Sequence, residues 1–168
     1  MKIKMYMATS LNGYIAREDD NVEWMQEAQW ESYDKEVAES GHIVLGNRTY
    51  GMLEDDEVNA DCTYYVLSNT GEGKVRPNVV FVQLDSNAIL EALKKNNAKN
   101  VLVIGGSKTN SFLLNSGLID EVMIDIEPLI ISSGINLVDS LNADVKLELL
   151  SNKTIGNGLL QLRYKVIR

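Results

Sequence analysis

Cysteine, histidine and proline are scarce in this sequence, and each scarcity excludes certain kinds of bond, site or domain organisation. The 168 residues include one cysteine, one histidine and two prolines. With Cys62 alone no intramolecular disulfide can form, and a reducing cytoplasm is the expected location. His42 alone cannot supply a histidine cluster or a recognisable triad, so we predict no metal site. With so few prolines and no linker, we expect a single domain over residues 1–168.

Positive charge and long apolar runs are also lacking. Acidic residues outnumber basic ones by 24 to 16, which gives a net charge of −8. Nucleic acids and anionic membranes favour a basic surface, so neither is an expected partner. The apolar run at the N-terminus is too broken for a signal peptide, and no later run is long enough to cross a membrane.

What the sequence does contain is an alternation of strand-like and helix-like segments. The last third changes to two alternating segments, 145–150 and 159–166, which predict an antiparallel hairpin. We therefore predict an α/β fold in three layers, with a mixed sheet of about eight strands between helices. The other predicted strands are 3–8, 43–45, 63–67, 79–83, 101–104 and 121–126, and the predicted helices are 27–39, 49–53, 86–97 and 108–115.

Two segments share one pattern, in which an apolar strand ends in glycine and polar residues open a helix. The first junction is Gly46-Asn47-Arg48-Thr49, and the second is Gly105-Gly106-Ser107-Lys108-Thr109 after Ile104. A glycine at such a place lets backbone N–H groups approach an anion closely, and the helix N-terminus adds partial positive charge. The pair predicts a ligand with two separated phosphate groups, such as a dinucleotide.

The two junctions differ in strength as signals. An ordinary strand-to-helix turn explains the first junction equally well, whereas the paired glycines of the second indicate close backbone approach, either to a ligand or to a neighbouring element. Neither segment is a Walker A or a GxGxxG sequence. Arg48 and Thr49 are candidate phosphate donors, and Lys108 is either another donor or a solvated lysine.

Two further loops follow predicted strands. Leu67-Ser68-Asn69 is a candidate contact for a ribose phosphate, although a plain turn explains these residues as well. In Asn12-Gly13-Tyr14, Asn12-Gly13 is a turn signal, and the apolar residues Tyr14 and Ile15 follow it directly. The segment is either a lid over the substrate or a hairpin turn with a packed flank.

Carboxylates on the first predicted helix are the candidates for proton transfer. Glu27, Glu31 and Asp34 share one helical face, which is the usual pattern of a solvated surface. One of them could instead face a pocket and act as a proton donor, and Glu31 is the predicted catalytic residue.

Six motifs in order resemble the dihydrofolate reductase-like superfamily, over essentially the whole chain. The branch that they resemble most is the reductase domain of the riboflavin-pathway deaminase–reductase. Residues 9–16 are similar to SLDGxIA, 45–50 to GRxTY, 66–68 to VLS, 104–107 to GGxxL, 113–121 to LLxxGLVDE and 128–137 to PxLLGxGxxLF.

The resemblance implies an NADPH-dependent reductase of a small-molecule substrate, in many members a homodimer. It implies that Gly46 to Thr49 and Ile104 to Thr109 hold the cofactor phosphates and that Leu67 to Asn69 flank the adenine and its ribose. Ala8, Thr9 and Ile15 would lie near the nicotinamide.

Two departures from the family pattern keep alternatives open. The family's phosphate-binding arginine falls on Asn47, with Arg48 one place later, so NADH is not excluded as the cofactor. Neither Trp24 nor Trp30 is followed by an acid at the spacing of a dihydrofolate reductase. We therefore expect hydride transfer to a heterocycle or sugar amide, with a dihydrofolate reductase or a non-catalytic nucleotide-binding module as alternatives.

Overall fold

The computed structural model describes residues 1–168 as ten strands, four α-helices and a short 3-10 helix at Asp55–Glu57. The strands are β1 (Lys2–Ser10), β2 (Tyr14–Ala16), β3 (His42–Gly46), β4 (Thr63–Leu67), β5 (Val79–Val82), β6 (Asn100–Val103), β7 (Glu121–Glu127), β8 (Ile135–Asn136), β9 (Lys146–Ile155) and β10 (Leu159–Ile167). The helices are α1 (Glu27–Ser40), α2 (Asn47–Met52), α3 (Ser86–Lys95) and α4 (Ser107–Asn115).

Eight strands form one mixed sheet in the order β5-β4-β3-β6-β1-β7-β10-β9. The six strands from β5 to β7 are mutually parallel, whereas β10 runs antiparallel to β7 and to β9. The predicted mixed sheet of about eight strands with a C-terminal antiparallel hairpin is thus confirmed.

The central strands carry apolar side chains on both faces because helices cover both faces. Ile43, Val44 and Leu45 of β3 are each at most 1% exposed, although they point alternately to opposite sides. One core lies under α3 and α4 and contains Leu93 and Leu113. The other lies under α1 and α2 and contains, among others, Val37 and Tyr50. The result is a three-layer arrangement.

Local signals in the sequence set the helix ends. The side chain of Asp85 accepts a hydrogen bond of 2.8 Å from the backbone N–H of Ala88, so it caps α3. Gly41 ends α1 with φ of 69°, a conformation that glycine adopts without steric cost. None of the four helices combines the length and apolar character that a membrane span needs.

The sequence did not reveal a second, two-stranded sheet. Residues 14–16, which belong to none of the predicted strands, form β2, which pairs with β8. Strand β8 belongs to residues 128–137, which we call the strap. At Gly134 the strap lies so close to β2 that a Cβ would overlap the carbonyl oxygen of Ala16. Strand β9 also extends to Ile155, so the hairpin connection is shorter than predicted.

Candidate functional site

The predicted cofactor junctions lie at one edge of the sheet. Strands β1, β3, β4, β6 and β7 are parallel, so their carboxyl ends meet there. This edge brings together most of the residues predicted to contact the cofactor. They are Ala8 and Thr9 on β1, Gly46 to Thr49 after β3, Leu67 to Asn69 after β4, and Ile104 to Thr109 after β6.

The two glycine junctions touch each other. The backbone N–H of Gly46 donates a hydrogen bond of 2.8 Å to the carbonyl oxygen of Gly105. A Cβ at Gly46 would lie 2.6 Å from the Oγ1 of Thr109, and a Cβ at Gly106 would lie 3.4 Å from the Oγ1 of Thr49. Each junction therefore places a glycine against the other junction's threonine. The two junctions are adjacent because β6 lies directly beside β3 in the sheet. That they bind two separated phosphate groups stays a prediction.

This contact lies at a switch point of the sheet. The chain leaves β3 through α2 towards β4 on one side, and it leaves β6 through α4 towards β7 on the other side. Helices α2 and α4 pack on opposite faces of the sheet, yet both begin at this contact. Ligands of open α/β sheets bind at such a crevice beyond the carboxyl ends of the strands.

The start of α4 has the features of an anion site. No side chain caps its first turn, so its leading backbone N–H groups have no intrahelical acceptor. Gly105 has φ of +88°, and a Cβ there would lie 3.0 Å from the Sδ of Met7, so only glycine fits. Ser107 is half-buried and Lys108 is exposed. The chain thus offers bare N–H groups at the end of a nine-residue helix.

Two polar side chains of the first junction already have protein partners. The amide of Asn47 donates to the carbonyl oxygen of Glu72 at 3.1 Å and so fastens α2 to the loop after β4. The guanidinium of Arg48, predicted as a phosphate donor, donates to Asp20 at 2.6 Å while remaining 71% exposed. In the structure Arg48 binds a carboxylate, and the hydrogen bond that joins the two junctions is made by backbone groups.

The loop after β4 forms an ordered turn. The backbone N–H of Ser68 donates to Val82 on the neighbouring strand at 2.9 Å. The hydroxyl of Ser68 accepts a hydrogen bond of 3.1 Å from the N–H of Gly71 and lies 3.2 Å from the hydroxyl of Thr70. Asn69 is exposed. These hydrogen bonds fit the interpretation of the loop as a plain turn. Its exposed residues lie at the same edge of the sheet as the two junctions.

The Asn12-Gly13-Tyr14 turn is fastened to the strap. The side chain of Asn12 donates to the carbonyl oxygen of Ile131 at 2.8 Å and accepts from its N–H at 3.1 Å. Gly13 accepts a hydrogen bond of 3.0 Å from the N–H of Leu137, and Tyr14 begins β2. The next residue, Ile15, is buried. These contacts favour the hairpin turn with a packed flank over a free lid.

Helix α1 presents no buried acid. Glu31 is exposed and has no hydrogen-bond or ion-pair partner, so its carboxylate faces solvent. The structure therefore does not support the prediction that Glu31 is the proton donor. The buried polar residue of α1 is Gln29, at 2% exposure, and its Oε1 atom has no partner.

A buried acid that we did not predict lies on β7. Asp125 is fully buried and stands directly opposite Ala8 of β1. The hydroxyl of Tyr6 donates to Asp125 at 2.5 Å, and the amide of Gln161 donates to it at 2.8 Å. Burial raises the pKa of the Asp125 carboxyl and outweighs the hydrogen bonds from Tyr6 and Gln161, which lower it. Burial and the nearby Asp125 also raise the pKa of Tyr6.

A second buried carboxylate holds the start of α1. Glu127 is 1% exposed and accepts two hydrogen bonds of 2.8 Å from Gln26, one from the backbone N–H and one from the side-chain amide. The side chain of Gln26 also accepts from the backbone N–H of Asn157 in the hairpin turn at 3.1 Å. The alternating acids of β7, Glu121-Val122-Met123-Ile124-Asp125-Ile126-Glu127, were the available sequence signal for this polar face.

A sequence model described as "RibD C-terminal domain" matches residues 1–161. The chain belongs to this family. This RibD C-terminal domain is similar to the uncharacterized protein YwjB of Bacillus subtilis (strain 168). The two are 29% identical over 169 residues, which cover 97% of each chain.

Solved structures confirm the fold of this RibD C-terminal domain. A protein of Shewanella sp. PV-4, provisionally named a riboflavin biosynthesis protein, superposes with a TM-score of 0.84 at 23% identity over 100% of both chains. The deaminase and 5-amino-6-(5-phosphoribosylamino)uracil reductase of Thermotoga maritima gives a TM-score of 0.73 at 16% identity, over 99% of this chain and 56% of that one.

A dihydrofolate reductase is also among the similar structures. The Enterococcus faecalis enzyme, solved in complex with NADP(H), gives a TM-score of 0.73 at 15% identity over 98% of this chain and 96% of that one. The fold is therefore dihydrofolate reductase-like, as the six motifs predicted.

Proposed function

We propose that the protein is an NADPH-dependent reductase of the 5-amino-6-(5-phosphoribosylamino)uracil reductase type. The observation that carries the proposal is the contact between the two junctions, in which Gly46 meets Thr109 and Gly106 meets Thr49. Membership of the RibD C-terminal domain family supports it. So does the dihydrofolate reductase-like fold, since a member of that fold is known in complex with NADP(H).

The residues present fit a pyrophosphate better than two distant phosphates. Glycine backbones leave room that a Cβ would fill, and the uncapped N–H groups of α4 point to the same edge. Because the junctions are in contact, they suit two adjacent phosphates of one dinucleotide. With a net charge of −8, the chain repels anions overall, so the site depends on these local donors.

The chemistry divides between cofactor and protein. A bound nicotinamide supplies the hydride, and the chain supplies position and charge. Ala8 and Thr9, near the end of β1, are the residues that the resemblance places near the nicotinamide, and Asp125 is buried beside Ala8 on the neighbouring strand. The proposed acceptor is a C=N or C=O bond of a small planar heterocycle or sugar amide.

A pair of glycine variants tests the cofactor site. Gly106→Val adds a branched side chain beside Thr49 at a residue whose φ of −74° suits any amino acid, so we expect a folded protein that no longer binds NADPH. The matched control is Gly51→Ala, since a Cβ at Gly51 has no neighbour within 4 Å. The measurement is a fluorescence titration of each variant with NADPH and NADH. Unchanged NADPH affinity in Gly106→Val contradicts the site.

Turnover is the separate test of the enzyme assignment. NADPH oxidation is followed with the phosphoribosylaminouracil substrate and with dihydrofolate. Turnover of the first supports the proposal, and turnover of the second alone assigns a dihydrofolate reductase. Tight NADPH binding without turnover of any substrate in a broad panel identifies a nucleotide-binding module instead.

A further inference from the structure

The turn that follows β2 is acidic and has an unusual backbone. Residues 17–21, which we call the acidic turn, are closed by two backbone hydrogen bonds of 3.0 and 3.1 Å. They include the consecutive acids Glu18, Asp19 and Asp20. Asp20 has φ of 67°, in the left-handed region that only one other non-glycine residue of the chain adopts. An uncommon backbone conformation of this kind persists where surrounding contacts hold the residue.

The acidic turn contacts the first cofactor junction through one ion pair. The guanidinium of Arg48 donates to the Asp20 carboxylate at 2.6 Å and makes no other hydrogen bond. The side chain of Asp20 is only 24% exposed, although the turn lies at the surface. Neither Glu18 nor Asp19 forms an ion pair. Asp20 is therefore the one acid of the turn that neutralises a cation of the junction.

This ion pair connects elements on the two sides of the proposed pyrophosphate site. The acidic turn is joined to β1 through β2, whereas Arg48 follows β3. In the sheet β1 and β3 are the two neighbours of β6, and β6 leads into Gly105 and Gly106. A carboxylate is thus held at the edge where the backbone is shaped to accept an anion.

The carboxylate and a cofactor phosphate compete for the same donor. A guanidinium binds carboxylate and phosphate oxygens in the same forked geometry, so Arg48 can exchange one for the other. An exposed ion pair shifts an equilibrium by at most about fivefold, which makes the contact weak enough to be displaced. A pyrophosphate also carries more negative charge than one carboxylate, and it gains the N–H groups of α4 at the same time.

We propose that Asp20 holds Arg48 in the nucleotide-free protein and that the cofactor pyrophosphate displaces it, so that Asp20 lowers the affinity of the site for its dinucleotide. This inference rests on the proposed function, because the competing anion is the cofactor. Each binding event then frees the acidic turn from α2, which couples cofactor binding to the segment between β2 and α1.

A neutral replacement of Asp20 tests the competition. Asp20→Asn removes the charge and keeps a residue that adopts a positive φ readily. We expect it to bind the cofactor about two- to fivefold more tightly than the wild type in fluorescence titrations with NADPH and NADH. The matched control is Glu18→Gln, which makes the same change in net charge on the same turn at an exposed, unpartnered residue. Its affinity should stay close to that of the wild type.

A double-mutant cycle separates competition from general repulsion. Arg48→Gln should weaken cofactor binding, and Asp20→Asn should add no gain in that background, because the donor that the two anions share is gone. An equal gain in Asp20→Asn and Glu18→Gln overturns the proposal, since it would come from net charge alone. A gain that persists without Arg48 also overturns it. Weaker binding by Asp20→Asn does so too, because the ion pair would then orient Arg48 for the phosphate.

Amide hydrogen exchange over residues 17–21 gives a second readout. Exchange should be faster in the wild type with saturating cofactor than without it, whereas in Asp20→Asn it should already be fast without cofactor. Unchanged or slower exchange in the cofactor-bound wild type contradicts the release of Asp20. A wild type that binds neither NADPH nor NADH overturns the proposed function and this inference with it. A wild type that binds, with an affinity that Asp20→Asn leaves unchanged, overturns this inference alone.

Discussion

Replacing Gly46 with alanine tests the contact between the two junctions. The added Cβ would lie 2.6 Å from the Oγ1 of Thr109, about 1 Å closer than atoms normally approach. Thr109 is 6% exposed and β-branched, so its side chain has few alternative positions. The carbonyl oxygen of Gly105, at 3.8 Å, is the next neighbour and needs no shift. The strain therefore arises from a single atom pair.

The expected cost follows from that geometry. Forcing one extra carbon into a packed contact destabilises a protein by about 1–3 kcal/mol. For a chain of 168 residues this corresponds to a fall in Tm of roughly 2–12 °C. Because the same contact sets the spacing between the starts of α2 and α4, we also expect weaker NADPH binding.

A double-mutant cycle with Thr109→Ala measures the interaction. Removing Oγ1 removes the close contact. The loss of unfolding free energy in Gly46→Ala/Thr109→Ala should therefore be smaller than the sum of the losses in the two single variants. Urea unfolding gives the free energies, and fluorescence titration gives NADPH affinity. If the two effects on stability are additive, or if Gly46→Ala is as stable as the wild type, then the two junctions do not touch as described.

Three further changes have defined outcomes. Burial raises the pKa of Asp125 in the folded protein, so the unfolded chain releases that proton first, and the free energy of unfolding falls as pH rises above the unfolded pKa of about 3.9. Asp125→Asn should flatten this part of the stability–pH curve measured by urea unfolding. An unchanged slope would assign the pH dependence to other groups. Gly134→Ala places a Cβ on the backbone oxygen of Ala16 and should lower the free energy of unfolding by about 1–3 kcal/mol or more, whereas Gly51→Ala should leave it nearly unchanged. Glu31→Gln should not change kcat or the KM for NADPH in steady-state assays, because Glu31 is exposed and unpartnered; a large loss of kcat would restore it as the proton donor.

Local patterns allowed most of the fold to be predicted. Continuous apolar runs such as Val101-Leu102-Val103 indicate strands covered on both faces, and the structure buries all three. The alternating segments near the C-terminus gave the hairpin. The strands that were missed, β2 and β8, have three and two residues and are too short to show a period.

The site was harder to predict because it depends on strand order. Both junctions were visible in the sequence, but their contact arises because β6 inserts between β3 and β1, which no local pattern specifies. Exposure likewise depends on packing. Glu31 and Gln29 are two residues apart on α1, and the neutral one is buried while the acid faces solvent. Asp125 was missed because its partners, Tyr6 and Gln161, are distant in the chain.

The position of β1 between β6 and β7 has a consequence for synthesis on the ribosome. Strand β1 pairs only with segments made much later, in registers such as Lys2 with Asn100 and Lys4 with Glu121. Until those segments leave the exit tunnel, β1 has no neighbour in the sheet and its apolar side chains are open to chaperones. Sheet closure must therefore wait for the second half of the chain, and the high contact order predicts slow folding.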